Sequence, residues 1–226
     1  MDVAVLGAGS IGSLLGGLLA REHPVTLVGR ETHVTAVRRD GLTVTGRLEC
    51  TVHPEARTDT AGLDADLVLV TVTAHDVSAA ADQLARDADP AVVVPLSNGL
   101  GHADTLADRL PGATALAGTT TYGATLDRPG HVTCTGVGTV TVGARDGGPS
   151  RRAREVAAVF ETAGVEATAA NRSSMRQDLD AGRRTEVDAI NGHVVDRAGA
   201  HDLAVPTNET LTRLLRLWER GRGLRR

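Results

Sequence analysis

The stretch that most constrains the fold is the opening one, Met1 to Arg30, which reads MDVAVLGAGSIGSLLGGLLAREHPVTLVGR. A mostly branched apolar run, Asp2 to Leu6, stops on Gly7, and glycines at 7, 9 and 12 give G-x-G-x-x-G. Leu14, Leu15, Leu18 and Leu19 then recur at helical spacing, and a second apolar run covers Val25 to Val28. Strand, glycine turn, helix and strand within about 30 residues is the pattern of a mononucleotide-binding βαβ unit. Gly7 allows the tight turn, Gly9 lets the backbone approach a pyrophosphate, and Gly12 lets the helix pack close to the strand. N–H groups around Ala8, Ser10 and Ile11 then point at the phosphates, helped by the helix dipole. The motif alone is a weak signal in a chain with 26 glycines. Its place between a strand and an amphipathic helix is what argues for dinucleotide binding over a structural turn.

The end of the second strand bears on the choice of cofactor. An NAD-preferring site usually carries Asp or Glu about 20 residues after the motif, accepting from the ribose 2′-OH. Here Gly29 and Arg30 stand in that place. A carboxylate would repel a 2′-phosphate, whereas a guanidinium pairs with one bidentately. NADP(H) is the expected cofactor; the alternative for Arg30 is a solvated surface arginine.

Length and charge exclude several classes. A chain of 226 residues holds one large domain, or a larger domain and a small one. A hydrophobic fraction of 41%, charged residues at 23% and no apolar run near the ~18 residues of a membrane span describe a soluble protein. The N-terminus enters a strand at once, so no secretion signal is expected. Cys50 and Cys134 are too few for a disulfide scaffold or metal cluster, and fit a reducing cytoplasm. A net charge of −4 gives no general attraction for nucleic acid. The aromatic residues are Tyr122, Phe160 and Trp218 alone, so the core must be aliphatic. All 24 basic residues are Arg, with no Lys; a GC-rich genome and a salt-rich habitat both account for that.

Further along, Glu31 to Asp40 reads as a short helix, and Leu42 to Thr45 with Leu48 to Val52 as a hairpin. Asp66 to Thr73 and Ala91 to Leu96 are continuous apolar runs, as expected of strands buried on both faces of a parallel sheet. Asp76 to Ala88 is the crossover helix between them, Asp104 to Leu110 a short helix, and Ala113 to Thr121 another strand. The Thr-rich stretch from Gly123 to Gly143 predicts antiparallel strands appended to that sheet. Ser150 caps a helix running to Ala163, and Val165 to Thr168 is a last strand. From Asn171 strand signals vanish, and Arg172 to Leu179, Thr185 to Ala200 and Thr207 to Arg220 read as helices. The expected architecture is α/β: a Rossmann-type doubly wound sheet over residues 1–168, then a small, truncated all-helical C-terminal domain over 169–226.

The segments VLGAGSIGSLLGGLLA, LVGR, VPLSNGLG, GTTTYGA, SSMRQDLDAGRRTEVDAINGHVV and AHDLAVPTNETL together resemble the ketopantoate reductase (2-dehydropantoate 2-reductase) family. The resemblance spans nearly the whole chain, and the pair N-G-x-G with SSM-x-QD…TE-x-D-x-ING is far more specific than the glycine motif. It implies NADPH-dependent reduction of ketopantoate, a 2-oxo acid, to pantoate, on the way to pantothenate and coenzyme A. By resemblance, Gly7, Gly9 and Gly12 cradle the pyrophosphate and Arg30 meets the 2′-phosphate. Asn98 would lie near nicotinamide and substrate, Ser174 would bind substrate, and Glu186 would be the acidic residue beside the nicotinamide ribose and the reacting centre. Taken alone, Asn98-Gly99 is an N-G turn, Ser174 an exposed helix serine and Glu186 a solvated helix charge or capping partner.

The chain also departs from that pattern. The family's helical domain begins with a long helix carrying its general-acid Lys, with further helices before the SSM motif. Here Ala169-Ala170-Asn171 passes almost directly into Arg172-Ser173-Ser174, so that block looks deleted. A second family Lys, after DLVLV, is replaced by Thr73. Of the eight His, only His75 and His102 fall near cofactor-facing loops. Without the block, Leu211, Leu214, Leu215 and Trp218 would be left partly exposed, or would make a homodimer through the C-terminal helices.

Overall fold

Four short strands, each buried almost throughout, make the framework of the computed structural model, which describes residues 1–99, 101–170, 178–179, 181–201 and 203–225. They are β1 (Val3–Leu6), β2 (Val25–Val28), β6 (Leu67–Val70) and β7 (Val92–Pro95), all parallel to one another. Successive side chains of a strand point to opposite faces, so a run apolar at every position needs cover on both. Val3, Val5, Leu27, Leu67, Leu69, Val92 and Val94 face one core, shared with α1 (Ser10–Leu19), α2 (Glu31–Asp40) and α5 (Arg151–Thr162). Ala4, Leu6, Val28, Val68, Val70 and Val93 face the other, covered by α3 (Val77–Asp87) and α4 (His102–Arg109). The fold is a doubly wound α/β sheet, as the apolar runs predict.

Among the described residues the main sheet has eight strands in the order β12-β11-β8-β7-β6-β1-β2-β5. β8 (Thr114–Thr120) continues the parallel set, and β11 (Val140–Ala144) pairs antiparallel to it. β12 (Ala167–Ala170) then runs parallel to β11. Ser150 caps α5 as expected, its Oγ accepting from the Ala153 N–H at 3.1 Å. Residues 55–57 carry no strand signal in the sequence, yet β5 (Glu55–Arg57) closes the far edge. Ala56 is its one buried side chain, and Arg38 Nε of α2 donates to the Ala56 carbonyl at 2.7 Å.

The Thr-rich segment meets expectation only at its end, where β11 joins the main sheet antiparallel to β8. β9 (Gly123–Arg128) and β10 (His131–Gly136) are not appended to the main sheet. They join β3 (Leu42–Gly46) and β4 (Cys50–Val52) in a separate four-stranded sheet, order β4-β3-β10-β9. The physical reason is α1, whose buried residues run without a break from Gly12 to Leu19. The amphipathic helix expected from the leucine spacing is instead enclosed on every side, and such a helix needs a partner on each side. A Cβ on Gly16 would lie 2.5 Å from Leu27 Cδ2 of the main sheet, whereas one on Gly17 would lie 3.0 Å from Leu42 Cδ2 of the small one. These two glycines let both sheets close onto the helix.

The chain divides into two compact units, Met1–Asn171 and Arg172–Arg226. In the second, a π-helical turn (Asp188–Gly192) runs into α6 (His193–Gly199), and α7 (Pro206–Gly221) follows with Pro206 at its first turn. The regular helix expected over Thr185–Ala200 therefore begins later and starts as a wider turn. The helix expected over Arg172–Leu179 lies largely outside the described residues. On α7, Leu211, Leu214 and Leu217 are exposed, and Leu215 and Trp218 half-buried. Among the described residues no helix is long and apolar enough to cross a membrane.

Candidate cofactor cleft

The glycine turn is held in place from below. The N–H groups of Gly7 and Ala8 both donate to the Val28 carbonyl at 2.9 Å, and Gly9 N–H folds back to the Gly7 carbonyl at 2.6 Å. Thr71, just past β6, donates its hydroxyl to the Gly7 carbonyl at 2.8 Å. Gly7 has φ +107°, and a Cβ there would sit 2.7 Å from the Val72 nitrogen. A Cβ on Gly12 would overlap the Gly7 carbonyl oxygen and lie 2.5 Å from Thr71 Oγ1. Gly9 is different: a Cβ there would meet nothing nearer than the Gly7 oxygen at 3.9 Å. Two glycines are thus required by the protein's own packing, and the third faces open space.

That space is a cavity of ≈ 950 Å³, within the range of small-molecule and cofactor sites. Gly7, Ala8, Gly9 and Ser10 form its floor and Arg30 stands at the end of β2. Thr71, Val72, Thr73 and Asp76 line one side, and the end of β9 with Pro129 of the turn after it, Leu126 to Pro129, the other. Since the N–H groups of Ala8 and Gly9 are engaged within the turn, those of Ser10, Ile11 and Gly12 are the first-turn donors of α1 without intrahelical acceptors. The side chains of the first turn carry no acidic group to compete for them. An anion is what such a helix start accommodates.

The charges around the cavity are mostly engaged. Asp76 accepts from the Thr73 hydroxyl at 2.6 Å, Asp127 from Thr133 at 2.5 Å, and Glu31 from Thr35 at 3.0 Å. Arg128 donates to His131 Nε2 at 2.7 Å. Arg30 is exposed and has no ion-pair partner among the described residues. Its guanidinium is thus a cation at the mouth whose donors no described residue engages.

Three side-chain contacts escape sequence reasoning, those of His33, Ser10 and Thr71. His33 lies on the buried side of α2 with Val34 and Val37, almost fully enclosed. Its Nδ1 accepts from the Gly130 N–H at 3.1 Å, which puts the proton on Nε2 and lets it donate to Ser13 Oγ at 3.1 Å. Burial pushes its pKa below the usual value, so the ring is neutral. Ser10 Oγ accepts from the Leu126 N–H at 3.1 Å. Ser10 and His33 thereby fasten β9 and the turn after it to the two ends of the first helical turn, and Thr71 clamps the loop beneath. Only the spacing of His33 and Val37, one helical turn apart, hints at any of this.

The other candidate residues stand elsewhere. Asn98 is exposed beyond the carboxyl end of β7, its carbonyl 2.9 Å from His102 Nε2, and it does not line the cavity. Glu186 belongs to the second unit, exposed between the buried Thr185 and Val187. Ser174 lies outside the described residues.

Comparison with known proteins bears on this arrangement. The family model described as Ketopantoate reductase PanE/ApbA matches residues 3–147, and that described as Ketopantoate reductase PanE/ApbA C terminal matches 139–219. A 2-dehydropantoate 2-reductase of Halobacterium salinarum is 36% identical, the alignment covering 97% of this chain and 99% of the relative. It runs over 302 positions although the chain has 226 residues, so the relative carries residues this chain lacks. A crystal structure of a PanE/ApbA family ketopantoate reductase from Ralstonia eutropha is 27% identical, with a TM-score of 0.68 over 99% of this chain and 100% of that one. The ternary structure of a D-mandelate dehydrogenase with NADH and anilino(oxo)acetate shares the fold, at 20% identity and a TM-score of 0.66 over 100% of each chain. With both halves matched in order by the family's own two models, and a relative at 36% identity along the whole length, the chain belongs to the ketopantoate reductase family.

Proposed function

We propose that the chain binds NADP(H) over the glycine turn and serves the reduction of ketopantoate to pantoate, with turnover weakened by the loss of the general acid. The observation that carries the reading is the contrast among the three glycines. Gly7 and Gly12 leave no room for a Cβ, while Gly9 opens onto the cavity beside unpaired helix N–H groups. The pyrophosphate fits that cradle: Ser10 and Ile11 N–H groups would hold it, and Arg30 would take the 2′-phosphate.

When bound, the nicotinamide supplies a hydride to the 2-oxo carbon, leaving an oxyanion that must take up a proton. Glu186 and Ser174 orient the 2-oxo acid in this reading, with Asn98 near the reacting carbonyl. The chain contains no Lys, and an arginine of pKa above ~12 is a poor acid. A positioned general acid is worth ~10²–10⁴ in rate, and turnover is expected to fall by that order, with water delivering the proton. The residues missing against the Halobacterium salinarum relative favour a second reading, a non-catalytic NADP(H)-binding homologue. The neighbour holding anilino(oxo)acetate keeps a reductase of another 2-oxo acid in view. The reaction belongs in the cytoplasm, where the free thiols of Cys50 and Cys134 persist.

The test is NADPH oxidation with ketopantoate against a panel of other 2-oxo acids. Slow but saturable turnover selective for ketopantoate supports the reading. Turnover at the rate of a full-length relative refutes the loss of the acid, and none with any substrate favours the binding protein.

A further inference from the structure

The second unit contains an ionic cluster, built around one buried carboxylate, that the proposed reaction does not use directly. Glu219 of α7 is fully buried, at 0% exposure. Its Oε1 accepts from both the backbone N–H and the hydroxyl of Thr185, at 2.8 and 2.7 Å. Its Oε2 accepts from Arg225 Nε at 2.8 Å. Arg225 also reaches Asp188, whose Oδ1 accepts from Arg216 Nε at 2.8 Å. The hydrogen bond from Arg225 holds the Asp188 carboxyl down to about 2; burial opposes it and Arg216 assists. Burial by itself would raise the Glu219 pKa, but the bonds from Thr185 and Arg225 outweigh it and keep the group ionised.

Stability does not explain a charge at this place, because a buried ion pair is on average no better than apolar packing. A carboxylate can, however, do one thing an apolar side chain cannot: grip the N–H and hydroxyl of one residue at once. That residue, Thr185, is buried, as is Val187, and Asp188 is tied to the same arginine. Glu186, between them, is exposed. We propose that Glu219 is the positioning residue for Glu186, pinning the segment from Thr185 to Asp188 so that the Glu186 carboxylate stands in one fixed direction. This rests on the reading of Glu186 as the acidic group that meets the substrate.

The experiment measures ketopantoate affinity of the full chain saturated with NADP⁺, by calorimetry, for wild type, Glu186→Gln, Glu219→Leu, Glu219→Gln, Thr185→Val and the double variants with Glu186→Gln. Removing Glu186 is expected to weaken binding about tenfold or more, and Glu219→Leu to approach that loss. Glu219→Gln, which still accepts from Thr185, restores most of it. The double variant Glu186→Gln/Glu219→Leu is no weaker than Glu186→Gln alone, because a pin that acts only through Glu186 has nothing left to position. A Glu219→Leu variant that binds like wild type, or a double variant whose losses add, overturns the pin and leaves the role of Glu186 standing. Wild-type affinity in Glu186→Gln, or no ketopantoate binding by the wild type, overturns the reading of Glu186 and the pin with it. Should Glu219→Leu not fold, Thr185→Val decides by the same test, with additive losses against Glu186→Gln refuting the proposal.

Discussion

Replacing Gly9 and Gly12 by alanine separates a glycine kept for the ligand from one kept for the fold. At Gly9 the backbone is extended, with φ −89° and ψ −152°, which an L-residue adopts without strain. The new methyl meets nothing closer than 3.9 Å. Alanine is a poorer N-cap than glycine by ~0.5–1 kcal/mol, but it lowers the entropy of the unfolded chain by a similar ~0.4–1 kcal/mol. The net change in stability is therefore within about 0.5 kcal/mol. A phosphate oxygen bonded to the Ser10 or Ile11 N–H at about 2.7–3.2 Å would have to share space with that methyl. Losing one charge-assisted bond costs about 1.5–3 kcal/mol, which is roughly 10- to 100-fold in affinity for NADPH. Gly12→Ala behaves in the opposite way. Its methyl runs into a carbonyl that Thr71 holds in place, and β1 and α1 cannot separate without breaking the core on both sides of the helix. Overpacking of that kind costs ~1–3 kcal/mol or more. Urea denaturation followed by titration of NADPH fluorescence reads both quantities. A Gly9→Ala protein that folds normally and binds NADPH like wild type would refute the reasoning, leaving the motif a structural turn.

Arg30→Gln should weaken NADPH by about tenfold or more while leaving NADH unchanged; equal losses for the two cofactors in a fluorescence titration would remove Arg30 from the 2′-phosphate. Ser150→Ala removes the acceptor at the start of α5 and should lower stability by ~1 kcal/mol in urea, with no change in NADPH affinity. In acid, the carboxyls of Asp188 and Glu219, both depressed in the folded chain, stay ionised after their unfolded counterparts, at about 3.8 and 4.5, have taken up protons. Their stabilisation is present above pH ~4.5 and is lost as pH falls below that, for Asp188 towards about 2. Fluorescence of Trp218, the single tryptophan, stacked 4.4 Å from the Arg222 guanidinium, should report that transition. An acid transition at the same pH in an Asp188→Asn variant would disconnect it from the cluster.

What the sequence made legible was local. β1, α1 and β2 declare themselves because strand, turn and helix signals sit within one short stretch. The doubly buried strands β6 and β7 show as unbroken apolar runs, and Ser150 marks its helix by chemistry that acts three residues away. The small sheet was not legible, because β3 pairs with β10, joining Thr43 to His131 across much of the chain. Local periodicity predicts that both are strands and says nothing about which strand meets which. The leucine spacing of α1 reads as amphipathic, and only the structure shows it enclosed from Gly12 to Leu19, which one sheet cannot do. For the site, glycines and Arg30 were readable from a motif, whereas His33 sits in a helix of mostly charged and polar residues that reads as solvated. Glu219 and Asp188 likewise read as surface charges, since Arg225 meets both only after the chain has turned back.

If the start of α1 is a working pyrophosphate cradle, a crystal structure of the chain grown with NADPH will show it. Phosphate oxygens are expected on the Ser10 and Ile11 N–H groups, packed against the bare Cα of Gly9, with the 2′-phosphate on Arg30. Cofactor bound elsewhere, or an empty cleft at saturating NADPH, would contradict it.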